Sequence, residues 1–194
     1  MTHTPPSAAV DLYWIPLGAG GHSVRLNGKV FEAAVSLFER RRSLDLYHSA
    51  LVVHVAEGRY TIESTPVPDG DVRARGAVAG GPVGSRLAGR FRIFRYEIRC
   101  WLEGVIPDLG EAVDSPQRLT VDERLARRIL ELTPQVPTPV WGRDELKAGE
   151  MWNSNSIVSW LLVRSGLGVE SARMPSGGRA PGWDAGIVVA RGRA

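Results

Sequence analysis

A short polar run, Met151-Trp152-Asn153-Ser154-Asn155-Ser156, stands directly before the apolar residues Ile157, Val158, Trp160, Leu161 and Leu162. The spacing predicts a helix from about Asn155 to Ser165, with Gly166 as its C-terminal stop. A side chain at a helix N-terminus sees unsatisfied backbone N–H groups and the positive end of the helix dipole. That environment stabilises developing negative charge, so it suits a nucleophile or an oxyanion. The same residues also have a simpler use. Asn and Ser are favoured N-caps, and the run can serve only to close the helix end.

Other chemistry is thinly represented. One cysteine, Cys100, excludes an intramolecular disulfide framework. Lying between Arg99 and Trp101 in an alternating segment, it reads as a small buried hydrophobe. The four histidines, His3, His22, His48 and His54, have no ligand spacing with it or with one another, so no metal site is expected. Gly18-Ala19-Gly20-Gly21 follows a strand-like stretch but lacks the third glycine and the distant acidic residue of a dinucleotide fingerprint. No cofactor is expected.

The order Asn153-Ser154-Asn155-Ser156, followed by Ser159-Trp160-Leu161-Leu162, resembles the nucleophile helix of papain-like proteins, and most of all the circularly permuted NlpC-like branch. That helix commonly opens Asn-Cys-Asn-Thr in the family, and the catalytic His lies earlier in the chain, on a strand. Here Tyr47-His48-Ser49-Ala50-Leu51 supplies a histidine near a strand start, and Glu63 lies on the following strand. The resemblance spans roughly residues 10 to 166. It implies Ser154 as nucleophile, His48 as general base and Glu63 as the group that orients His48. Asn153, Asn155, Trp152 and Arg179 are the matching expectations for substrate contact, with an amide or ester in a small molecule or peptide as substrate. Ser156 is the second candidate nucleophile. The departure is the residue that reacts: a cysteine thiolate is accessible near neutral pH, whereas a serine needs an aligned base. The alternative implied is a catalytically inactive papain-like domain that binds a ligand or a protein partner.

The elements that must position these residues follow from periodicity. Val10 to Leu17 reads as a strand and Val30 to Arg40 as a helix. Leu46 to Val55 and Tyr60 to Thr65, joined through Ala56-Glu57-Gly58-Arg59, read as a β-hairpin that can set His48 and Glu63 side by side. His54, an even number of residues beyond His48, shares its face and reads as a surface or packing residue, with the general base as its alternative role. Asp69 to Gly89 reads as a loop, and Phe91 to Trp101 as the clearest strand. A helix is expected from a Thr120–Glu123 capping box to about Leu132. The tail ends in a short strand-like run, Gly186-Ile187-Val188-Val189-Ala190. The fold class expected is α+β and papain-like, an antiparallel sheet packed on helices that include the nucleophile-position helix. It forms one domain over 10–194 behind a flexible segment 1–9.

Composition narrows the function classes. With 194 residues and 43% hydrophobic content the chain can bury a core of its own. The net charge of +3 is carried almost wholly by arginine, lysine occurring only at 29 and 147. This balance lacks the clustered basicity of a nucleic-acid binder, so no nucleic-acid partner is expected. Arg40-Arg41-Arg42 reads as a solvated helix end. No secretory leader and no 18-residue apolar run is present, so neither export nor a membrane span is expected, and the location expected is cytoplasmic.

Overall fold

The computed structural model describes residues 8–17, 45–66, 76–106 and 109–192. The expected helix over 30–40, the glycines at 18–21 and the arginines at 40–42 lie outside these residues. Strands β1 (Ala9–Pro16), β2 (Asp45–Val55), β3 (Gly58–Pro66), β4 (Ala77–Pro82), β5 (Arg95–Leu102) and β6 (Val113–Thr120) form an antiparallel sheet in the order β4-β5-β3-β2-β1-β6. A two-residue strand, β7 (Gly178–Arg179), pairs in parallel with the start of β2. Three α-helices complete the described fold: α1 (Glu123–Leu132), α2 (Ser154–Ser165) and α3 (Trp183–Arg191). The architecture is therefore α+β, as the sequence implies.

Side-chain parity in β1 and β2 divides the sheet into two faces. The two strands pair without a register shift from Ala9↔His54 to Pro16↔Tyr47. Successive side chains alternate across such a ladder. Val10, Leu12 and Trp14 of β1, with Tyr47, Leu51, Val53 and Val55 of β2, join the core that contains Ile157, Leu161 and Ile129 from the helices. Ile15 and Ala50 point the other way and form a small second cluster with Ile106. Burying a side chain such as Leu12, Leu51 or Ile62, each fully inaccessible, contributes about 2 kcal/mol.

α1 is amphipathic: Ala126, Ile129 and Leu132 face the core at intervals of three residues, and its arginines and glutamates face solvent. Its N-cap is Asp122, whose carboxylate accepts from the backbone N–H groups of Arg124 and Leu125; Thr120 instead ends β6. The capping box read at Thr120–Glu123 is thus displaced by a strand that the sequence masks behind Pro116. α2 is buried almost all round, because the sheet, α1 and α3 cover it on different sides. Its close packing on α3 depends on Gly186, where an added Cβ would collide with the Ser156 carbonyl oxygen and the Ser159 hydroxyl.

Four further expectations are corrected. β4 occupies part of the stretch read as a loop. β5 begins only at Arg95, because Arg92–Phe94 forms a 3-10 turn in place of the expected strand start, just after another at Ala88–Arg90. The strand-like tail is α3, started by Gly182 at φ 82°. Ala8 and Ala9, placed at the end of a frayed segment, are buried, and Ala9 begins β1.

Candidate functional site

The polar run at the start of α2 is used mainly as a cap and a tether. Asn153 is the N-cap: its side-chain oxygen accepts from the N–H groups of Asn155 and Ser156, and Ser156 Oγ accepts from Asn153 N at 3.1 Å. This reciprocal pair satisfies orphan donors at both positions. Ser156 Oγ also donates to the carbonyl of Gly182 at 2.7 Å, and Asn153 Nδ2 to that of Pro181 at 2.8 Å. Ser159, one turn on, donates to the carbonyl of Trp183 at 2.7 Å. The run therefore fastens α2 to the loop that leads into α3.

Asn155 is the tie to the sheet. Its Nδ2 donates to the carbonyls of Tyr47, at 3.0 Å, and Pro181, at 2.9 Å. Its Oδ1 accepts from Ser49 Oγ at 2.9 Å. Asn155 and Ser49 are each only 1% exposed, so these bonds replace water that neither residue can reach.

Ser154 takes no part in these bonds among the described residues, and it is 6% exposed at the first position of α2. His48 does not share its side of the sheet. Ser49 points at α2, so parity sends His48 to the opposite face, across from Ile15 of β1. Glu63 lies on that far face too, since Ile62 beside it belongs to the helix-side core. It pairs with Arg99, directly across on β5, with Nη1 to Oε1 at 3.5 Å. The three residues expected as a triad are thus divided, with Ser154 among the helices and His48 and Glu63 behind the sheet.

The remaining expected residues have structural surroundings. Trp152 is buried in the core at 2% exposure, and its backbone N–H donates to the carbonyl of Arg143 at 3.0 Å. Arg179 sits on β7 and reaches Glu150 at 3.5 Å. The other oxygen of Glu150 accepts from Gly182 N at 2.8 Å. Cys100 is only half-buried, packed against the helix-side core, and its partial burial pushes its thiol up to about 11.

Parity would have identified Ser49. In Tyr47-His48-Ser49-Ala50-Leu51, the buried Leu51 and Val53 mark the odd-numbered positions as helix-facing, which selects Ser49 over His48. The far face holds charges that the sequence reading did not group. Asp11, 3% exposed, accepts from Arg118 Nε and, at 3.2 Å, from Arg118 Nη2; His54 Nε2 lies 3.2 Å from the same carboxylate. Glu97, also 3% exposed, is gripped through Oε1 by Arg99, at 2.6 Å from Nε and 2.5 Å from Nη2. Its Oε2 is buried without a hydrogen-bond partner. No group of three or more His, Cys, Asp or Glu side chains suited to a metal ion occurs among the described residues.

Comparison with protein families, with characterised proteins and with solved structures finds no match to this chain.

Proposed function

We propose that the chain is a papain-like domain that works as a binding module, its nucleophile-position helix turned to a structural use. The observation that carries this reading is the placement of Ser49. In a working hydrolase of this kind a general base must reach the reacting hydroxyl within about 3 Å or through one water. The β2 position that faces the start of α2 holds Ser49, committed to Asn155, and the histidine beside it points away. A serine hydroxyl without an aligned base is a weak nucleophile at neutral pH. The α2 polar groups are largely spent on capping and on the carbonyls of residues 181–183, which favours a scaffold over a reaction centre.

One observation favours a second reading, hydrolysis or acyl transfer at an amide or ester through Ser154. Ser154 stands apart from the tethering bonds of its neighbours and meets the N-terminal field of α2, which favours an oxyanion. A fluorophosphonate probe with peptide mapping separates the two. The binding reading expects no labelling of Ser154 in folded protein, and stoichiometric labelling there would overturn it in favour of the enzyme.

A further inference from the structure

The two 3-10 turns before β5 carry an arrangement that neither reading uses. The segment Arg86-Leu87-Ala88-Gly89-Arg90-Phe91-Arg92-Ile93-Phe94-Arg95 interleaves large apolar and basic residues. Leu87, Phe91 and Ile93 are 72%, 66% and 70% exposed, and Arg90, Arg92 and Arg95 are exposed among them. Side chains two-thirds exposed project from a surface; they do not line a groove.

This projection is built and held. Val83 N donates to the Phe94 carbonyl at 2.8 Å and Gly84 N to the Trp141 carbonyl at 3.0 Å, which closes the base of the segment. Phe91 N and Phe94 N close the two turns at 2.9 and 3.0 Å. Arg86 grips Glu145 through two nitrogens, at 2.8 and 3.3 Å. A soluble surface seldom carries a fixed apolar tip of this kind without a use for it.

Beside the tip lies a cleft of about 490 Å³, walled by Val78 and Gly80 of β4 and by Arg90, Arg92, Arg95 and Glu97. Arg90 and Arg95 there offer positive charge to an anion. Glu97 supplies the second element, a buried carboxylate that shares Arg99 with Glu63 and whose Oε2 still lacks a donor. A group that places an anion on the arginines and a hydroxyl or ammonium near Glu97 satisfies both.

We infer that this tip and cleft dock the protein on an anionic phospholipid bilayer, Leu87, Phe91 and Ile93 entering the interface and the cleft taking a headgroup that carries both phosphate and a hydrogen-bond donor. A bilayer offers an apolar phase that yields to projecting side chains and an anionic surface that attracts the arginines around them. A single-stranded nucleic acid matches the charge, but Leu87 and Ile93 have no flat face on which a base stacks. The inference concerns a different part of the molecule from the start of α2, so it stands or falls separately from the reading given above.

Co-sedimentation of the full chain with vesicles tests it. Binding is expected to phosphatidylcholine vesicles doped with phosphatidylglycerol and not to phosphatidylcholine alone, and it should weaken as salt rises. The double variant Phe91→Ser, Ile93→Ser should weaken binding about tenfold or more, because both side chains lose their apolar insertion. The double variant Arg90→Gln, Arg95→Gln should weaken it by a similar factor and flatten the salt dependence. All four positions are exposed, and unchanged circular dichroism would show that the variants fold. Failure of the wild-type chain to sediment with the anionic vesicles overturns the inference. So does equal sedimentation with neutral vesicles, undiminished binding by the Phe91/Ile93 variant, or preferential retention on single-stranded RNA over the vesicles.

Discussion

Ser49 Oγ donates to Asn155 Oδ1 at 2.9 Å, and both side chains are sealed from water. The pair joins the centre of the sheet to the start of the most buried helix, and Asn155 completes the tie with two donated bonds to Tyr47 and Pro181. Replacing Asn155 by alanine takes the partner from two buried groups, the Ser49 hydroxyl and the Tyr47 carbonyl, while the Pro181 carbonyl keeps its bond from Asn153; each such loss costs about 1 kcal/mol or more. Asn155→Ala should therefore lose about 2 kcal/mol, read as a fall of roughly 4–8 °C in thermal midpoint for a chain of this size. Asn155→Asp should do no better, since a carboxylate cannot donate to the two carbonyls.

Neighbouring serines of α2 should differ sharply. Ser156→Ala removes the capping-box acceptor and the bond to Gly182, and should cost about 1–2 kcal/mol. Ser154→Ala removes neither and should stay within about 0.5 kcal/mol. Urea titrations of the two variants measure the difference directly. A Ser154→Ala variant as damaged as Ser156→Ala would mean that Ser154 carries structural bonds of its own.

Iodoacetamide chemistry offers a clean reading at the same position. The native thiol of Cys100 is half-buried and pushed up to about 11, so at pH 8 it is almost wholly protonated and alkylation should be slow. Its rate should rise only as pH climbs toward 11, since only the thiolate reacts. Ser154→Cys then adds a thiol whose own reactivity can be followed against a quiet background. Slow alkylation at neutral pH is expected, and a rapid reaction would reveal an activating base near α2.

The α2–α3 contact sets a strict size limit. Gly186→Ala places a methyl group against the Ser156 carbonyl, which accepts from Ser159 Oγ, and against that hydroxyl itself, which also donates to Trp183. Backbone on one side leaves little room to yield, so the loss should be about 3 kcal/mol or more, or outright failure to accumulate as folded protein. The intrinsic helix preference for alanine over glycine, about 1 kcal/mol, acts the other way and is too small to prevail.

Behind the sheet, Asp11→Ala removes the partner of both Arg118 and His54. Loss of one member of a fully buried pair costs about 3–5 kcal/mol. Here Arg118 and His54 are 44% and 36% exposed and can regain water, so about 1–2 kcal/mol is expected, with Asp11→Asn intermediate. Chemical denaturation of the three proteins at one pH gives the ranking.

The sequence carried the class of fold and the position of the helix start, and it misassigned the chemistry around that start. β2, β3 and α2 were legible because their apolar residues are numerous and periodic. Residue order brought His48 forward, while a test of side-chain parity would have turned it away and exposed Ser49. Phe91 to Arg95 alternates like a strand, yet Arg92–Phe94 makes a tight turn there, because the β4–β5 ladder ends at the Pro82–Arg95 pair. The closing Ile187-Val188-Val189 run is β-branched in sequence and helical in the fold, since Gly182 and Gly186 let it dock on α2. Each of these misreadings is local pattern overruled by packing between residues far apart in the chain.

The contact of Trp14 with Trp183, whose rings lie 5.0 Å apart, has a consequence for biosynthesis. β1 leaves the ribosome before that partner and meets it only when the segment leading into α3 has followed. Until then Asn155 and Ser156 lack the carbonyls of Pro181 and Gly182, and the start of α2 stays open. Between the synthesis of α2 and that of residues 181–183 the helix start lacks its partners, which makes residues 181–183 the latch of the domain.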